Sequence, residues 1–203
     1  MTLQAVAAPS ADDRAALLEH AARLLTPLGN HRAIASVHSS AGYVAMSEDR
    51  TAEALTLVET GLQAAERSND PYQAMIAHGN IGLAHHFSRN LERARDAFTH
   101  QLRLCGQHRF RHEASEGLAG MAAVAAAQGD DAIAARLRGA AEAFGYAMAL
   151  FDKRIDDRLE REYLAAAQIR CGDTEWRRGE QTGAALSLEQ AIDLALELIG
   201  TPK

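Results

Sequence analysis

Histidine is the residue type in this chain best suited to chemistry, and it occurs in pairs whose spacing can be judged. In "GLAHHFSRNLERARDAF" (82–98) His85 and His86 are adjacent. Neighbouring helix residues point about 100° apart, so these two rings do not share one metal ion easily. His78 and His85, seven apart, share a helical face, and His108 and His112 have the i, i+4 spacing of zinc-binding helices. Neither pair brings an obvious third ligand, and "HEASE" (112–116) lacks the second histidine of the zinc-protease motif. For a nucleophile there is no G-x-S-x-G elbow, and Cys105 and Cys171 stand far apart without C-x-x-C spacing or a disulfide framework. A P-loop needs Gly-Lys-Ser/Thr, and the only lysines are Lys153, after Asp152, and Lys203. The expectation is a chain with no catalytic, cofactor or metal site, whose histidines are packing or solvent-facing groups.

The charged clusters read in the same way. Asp156, Asp157, Glu160 and Glu162 alternate with Arg158 and Arg161, the pattern of a solvated helix face with local ion pairs. Arg103, Arg109 and Arg111, with His108 and His112, form a short basic run. It reads as a charged loop between helices and as a candidate contact for a small anion or acidic peptide. The net charge of -6 opposes general nucleic-acid binding, which needs a basic surface.

The elements that position these residues follow from composition. The chain is 47% hydrophobic but only 5% aromatic, has 4 prolines, and is rich in Ala, Leu, Arg and Glu, which favour helix. An all-α fold is expected. The opening "MTLQAVAAPSADD" has no basic n-region, and the longest apolar run, 118–127, is too short for a membrane span. The expected location is the cytoplasm, with no membrane contact.

A repeat organises the helices. "SSAGYVAMSEDRTAEALTLV" (39–58), "GNIGLAHHFSRNLERARDAF" (79–98) and "AGMAAVAAAQGDDAIAARLR" (119–138) align without gaps, placing Gly42, Gly82 and Ala122 in one column and Ala54, Ala94 and Ala134 in another, 40 residues apart. Helices approach closely only where one of them presents no bulky side chain. Each unit is therefore read as a helical hairpin, broken at "SEDR" (47–50), "SRN" (88–90) and "QGDD" (128–131).

Residues 9–25 read as a helix with Ser10 as N-cap and Asp13 in its first turn. In the 40-residue frame this helix is the second half of a repeat, so the chain is cut from a longer one or begins with an unpaired capping helix. Beyond Phe144 the period lapses. The last element has a capping box of Ser187 and Gln190 and an apolar stripe of Leu188, Ala191, Ile192, Ala195 and Leu198, with Gly172 and Gly183 punctuating the helices before it. The expected organisation is a single helical-repeat domain over 1–203: a capping helix at 10–30, three hairpins over 31–146, and capping helices over 147–203.

These columns resemble the tetratricopeptide repeat, and the longer period resembles the helical repeats in the sensor region of the maltose-regulon activator and related ATPase regulators. "EGLAGMAAVAAAQGDDAIAARLRGAAEAF" (116–144), the Trp176 helix and "GAALSLEQAIDLALE" (183–197) resemble the C-terminal end of such LuxR-type bacterial regulators. The resemblance implies a right-handed α-solenoid with a C-terminal helical cap, serving as a non-enzymatic module that binds a protein, a peptide or a small inducer. The ATPase and DNA-binding activities of that family are not carried over, because their motifs do not occur here. By register the groove of such a solenoid is lined by Ser39, Tyr43, Met46 and Ser47, then Leu83, His86 and Phe87, then Glu116, Ala119 and Ala123, while His85 faces into its hairpin. The alternatives are that the Trp176 tail fills this groove, making its residues core, or that the chain is a free-standing adaptor acting as a homodimer.

Overall fold

The computed structural model describes residues 11–145 and 153–197, and these are helical throughout apart from short turns. Ser10 and Leu198, expected as a cap and as a stripe residue, lie outside the described residues. The chain divides into two compact units between Arg89 and Asn90.

The first unit holds α1 (Ala11–Leu25), α2 (His31–Ser47), α3 (Thr51–Ser68) and α4 (Pro71–Phe87). Helix α2 packs on α1, α3 and α4. The small-residue column operates at Gly42, where an added Cβ would overlap Val58 Cγ1 of α3 and lie 3.4 Å from the Ala54 carbonyl oxygen. Gly61 gives a second close approach, since its Cβ would sit 3.2 Å from Ser39 Oγ. Ala54 and Val58 are fully buried at this seam.

The second unit begins with α5 (Leu91–His108), α6 (Arg111–Gln128) and α7 (Asp131–Ala143). It continues with α8 (Lys153–Leu159), a π-helical turn (Glu160–Leu164), α9 (Ala165–Cys171), α10 (Asp173–Ala184) and α11 (Leu188–Glu197). Helix α6 is its centre, and every residue from Gly117 to Ala126 is buried. Such a run has no polar face, so the helix is stable only when enclosed. Helices α5, α7, α9 and α11 and the π turn all pack against it. On the α5 side the Leu102 side chain and the Phe98 ring occupy the space where Gly117 and Gly120 carry no side chain.

The turns repeat more often than the side-chain columns do. Left-handed backbone recurs every 20 residues, at Gly29 (φ 61°), Asp49 (60°), Asn69 (50°), Arg89 (61°), Arg109 (57°) and Gly129 (83°). Each of these residues ends a helical segment, and the residue after it caps the next helix. Several are Schellman closures, in which the Arg50, Phe110 and Asp130 amides donate to the Ala45, Cys105 and Ala125 carbonyls at 2.9, 3.0 and 2.9 Å. Asn30, Asp70 and Asn90 then cap α2, α4 and α5 through their side-chain oxygens. The 40-residue hairpin is therefore two helix-and-turn halves of equal length.

Helix α10 lies against α7 with backbone nearly touching backbone. A Cβ on Gly183 would overlap the Arg136 carbonyl oxygen, one on Gly139 would overlap the Glu180 carbonyl oxygen, and Gly179 faces the Ala135 methyl. Gly183 thus lies in the last turn of α10 as a packing residue, not between helices as a break. Arg170 adds a polar tie, donating to the Ala126 carbonyl at 2.8 Å and pairing with Asp131. The capping box forms as expected, with the Ser187 amide donating to Gln190 Oε1 at 2.9 Å and the Gln190 amide donating to Ser187 Oγ at 3.2 Å.

Candidate functional site

The residues expected along a groove are mostly interior. On α2, Ser39 and Met46 are buried while Tyr43 and Ser47 are half-buried. The Ser39 carbonyl accepts a hydrogen bond from Asn80 Nδ2 of α4 at 3.1 Å, and Ser47 Oγ donates to the Val44 carbonyl at 2.8 Å. On α4, Leu83, His86 and Phe87 are buried together with His85 and all their neighbours from Gly79 onward. The expected open row at Met46, Leu83, His86 and Phe87 is therefore corrected: α4 has no solvent face along its second half. The physical reason lies in the small and apolar residues that occur on every side of this half, Gly79, Ile81, Gly82, Leu83, Ala84 and Phe87, among which Asn80, His85 and His86 are enclosed.

In the second unit the remaining row is also largely interior. Ala119 and Ala123 are fully covered, and Glu116 is half-buried. Of the C-terminal elements, the π-helical turn, α9 and α11 pack against α6, and the Trp176 helix α10 packs against α7. Trp176 is itself buried, on the helix that packs against α7.

Burial sets the electrostatics. His86 has no exposed surface, and burial, reinforced by the nearby Arg89 charge, lowers its pKa to about 3. The ring is neutral at physiological pH and cannot serve as a base that gains and loses a proton there. Glu116 is pushed up to about 7, by burial first and then by the Glu113 charge. Burial, with Glu113 and Glu116 adding to it, pushes the Cys105 thiol up to about 12, which keeps it protonated and non-nucleophilic. Both cysteines are free thiols.

The basic run is split by the turn between α5 and α6. Arg103 and Arg109 are exposed, Arg109 being the left-handed residue of that turn. The Arg111 guanidinium sits 4.5 Å over the Phe144 ring, and His108 stacks on Phe110. The acidic row is less solvated than its spacing suggests. Asp156 pairs with Arg138 of α7 at 3.0 Å, and Arg158 and Glu162 bond at 2.8 Å with both side chains largely covered. Among the described residues no three His, Cys, Asp or Glu side chains are grouped to hold a metal ion, and no helix is long and apolar enough to cross a membrane.

Two features escaped the sequence. One is the glycine contact of α7 with α10, signalled only by the i, i+4 spacing of Gly179 and Gly183. The other is a pocket of about 210 Å³ in the first unit, between α1, α2 and the start of α3. It was hidden because α1 read as an unpaired cap. No family model, no curated protein and no solved structure matches the chain.

Proposed function

We propose that the chain is a non-enzymatic binding module of a bacterial regulator, built from tetratricopeptide-like hairpins of the right-handed α-solenoid kind, and that it takes a peptide or protein segment as partner. The observation that carries this reading is the left-handed turn every 20 residues, which makes successive helices interchangeable in length and closure. Chains built in this way add surface with each repeat and present it for binding. The resemblance of 116–144 and 183–197 to LuxR-type ATPase regulators supports the regulatory setting. Within the row expected from the sequence, the accessible part in the first unit is Tyr43 and Ser47 of α2. Tyrosine at such a position offers apolar area with a polar tip and little entropy to lose. Small inducers remain within this reading, because ligand occupancy can shift the balance between conformations.

A second reading is a free-standing adaptor that acts as a homodimer. It is favoured by Leu24 in the last turn of α1 and Leu28 in the 3-10 turn after it (Thr26–Leu28), which are 50% and 74% exposed. One experiment separates the two. Selection of a displayed peptide library on the full chain should enrich a consensus whose affinity falls at least tenfold with Tyr43→Ala or Ser47→Arg. If nothing enriches and light scattering gives a dimer that Leu28→Glu dissociates, the adaptor reading replaces the first.

A further inference from the structure

The pocket of the first unit has the makings of a small-molecule site. Its walls are the side chains of Leu18, Val37, Val44 and Leu57, and the small residues Ala22 and Ala41 leave the room between them. Leu18, Val37 and Val44 belong to one buried apolar cluster, so the wall is part of the core and is held in place. The volume, about 210 Å³, exceeds the roughly 150 Å³ at which an apolar cavity accepts benzene.

The mouth decides what kind of molecule enters. Glu19, Arg50 and Glu53 border it, and each already has an ionic partner. Glu19 pairs with Arg23 at 2.6 Å. Arg50 holds Glu48 at 2.7 Å and Glu53 at 2.5 Å, and Arg14 reaches Glu48 at 3.4 Å. The three arginines and three glutamates cancel. A charged ligand would have to break one of these pairs or enter without a counter-ion, and either carries an electrostatic penalty. His38 supplies the polar wall, and burial lowers its pKa, so at neutral pH it is an uncharged hydrogen-bonding group.

We propose that this pocket binds a neutral, single-ring or branched-chain apolar molecule carrying at most one hydrogen-bonding group. None of its residues belongs to the Tyr43 and Ser47 face, so the inference stands without the partner-binding reading.

The test is a titration of the full chain, followed by ¹³C-methyl spectra, with three probes of one shape: benzyl alcohol, benzoate and benzylammonium. Benzyl alcohol should produce saturable shifts at the Leu18, Val37, Val44 and Leu57 methyls, with at least tenfold higher affinity than either ion. Ala41→Leu, which fills the pocket, should reduce that affinity at least tenfold without lowering the melting temperature. Should Ala41→Leu fail to fold, Ala22→Leu takes its place from the opposite wall. The proposal is overturned if benzyl alcohol gives no saturable shift at these methyls, if an ion binds as well, or if a folded filling variant binds unchanged.

Discussion

Gly183→Ala and Gly139→Ala are each expected to cost the second unit about 3 kcal/mol, the upper end of the overpacking range, and to lower its melting temperature by more than about 10 °C. The reason is geometric. At both positions the atom that a methyl group would meet is a backbone carbonyl oxygen, of Arg136 or Glu180, and it cannot rotate aside as a side chain can. Relief requires α7 and α10 to separate, which uncovers Trp176 and the buried Ala134, Ala135 and Leu137. Gly106→Ala is the control. Its added Cβ would sit 3.4 Å from Ile192 Cδ1, an ordinary contact, inside helix α5. There the lost backbone freedom of the unfolded chain should raise stability by about 0.5–1 kcal/mol. Thermal unfolding followed by the fluorescence of Trp176, the only tryptophan, reads all three. Equal effects of Gly183→Ala and Gly106→Ala would refute the close packing of α10.

The second large effect is a pair of opposed pH responses. The folded pKa of His86, about 3, lies below the ordinary 6.5, so its contribution is complete above pH 6.5 and is lost as pH falls towards 3. His38 shifts in the same direction. The acid loss through His86 reaches on the order of 4 kcal/mol. Glu116 has the opposite sign. Its folded pKa of about 7 lies above the ordinary 4.5, so between these values the folded unit holds a proton that the unfolded chain has released. Stability from this group is greatest below pH 4.5, falls up to pH 7 and is level beyond. With Glu116 half-buried and partly screened, the change amounts to about 1–2 kcal/mol.

Between pH 7.5 and 4.5 the amides of residues 73–87 should thus lose protection, after correction for intrinsic exchange rates. Over the same range Glu116→Gln should flatten the pH dependence of the unfolding midpoint read at Trp176. His86→Leu should flatten the response of the first unit, judged by slope because the substitution also changes packing. A Glu116→Gln variant with the wild-type slope would show that Glu116 titrates normally.

The legible parts of the fold are those written in local spacing. The Gly42 column led to the α2–α3 seam because a missing side chain is visible in any register, and the Ser187–Gln190 box is complete within four residues. Alternate turns were visible at 47–50 and 128–131, where Asp and Gly signal them. The turn at Arg109 and Phe110 carries no such signal. A left-handed arginine costs about 1–2 kcal/mol, offset here by the hydrogen bond that the Phe110 N–H donates to the Cys105 carbonyl, which forms only once the helix is in place. The candidate groove was legible in its residues but not in its exposure. The small and apolar run at 117–126 marks α6 as an enclosed helix, but it does not say which elements enclose it.

The central claim is that α6 is enclosed along Gly117–Ala126, so that Ala119 and Ala123 line no open groove. Thiol labelling by Ellman's reagent tests it directly, in a Cys171→Ser background where the buried Cys105 is unreactive. Ala123→Cys should react on the order of a hundredfold or more slowly than Gln107→Cys on the exposed side of α5, because it becomes accessible only through local opening. Comparable rates at the two positions would contradict the claim and return residues 116–123 to an open surface.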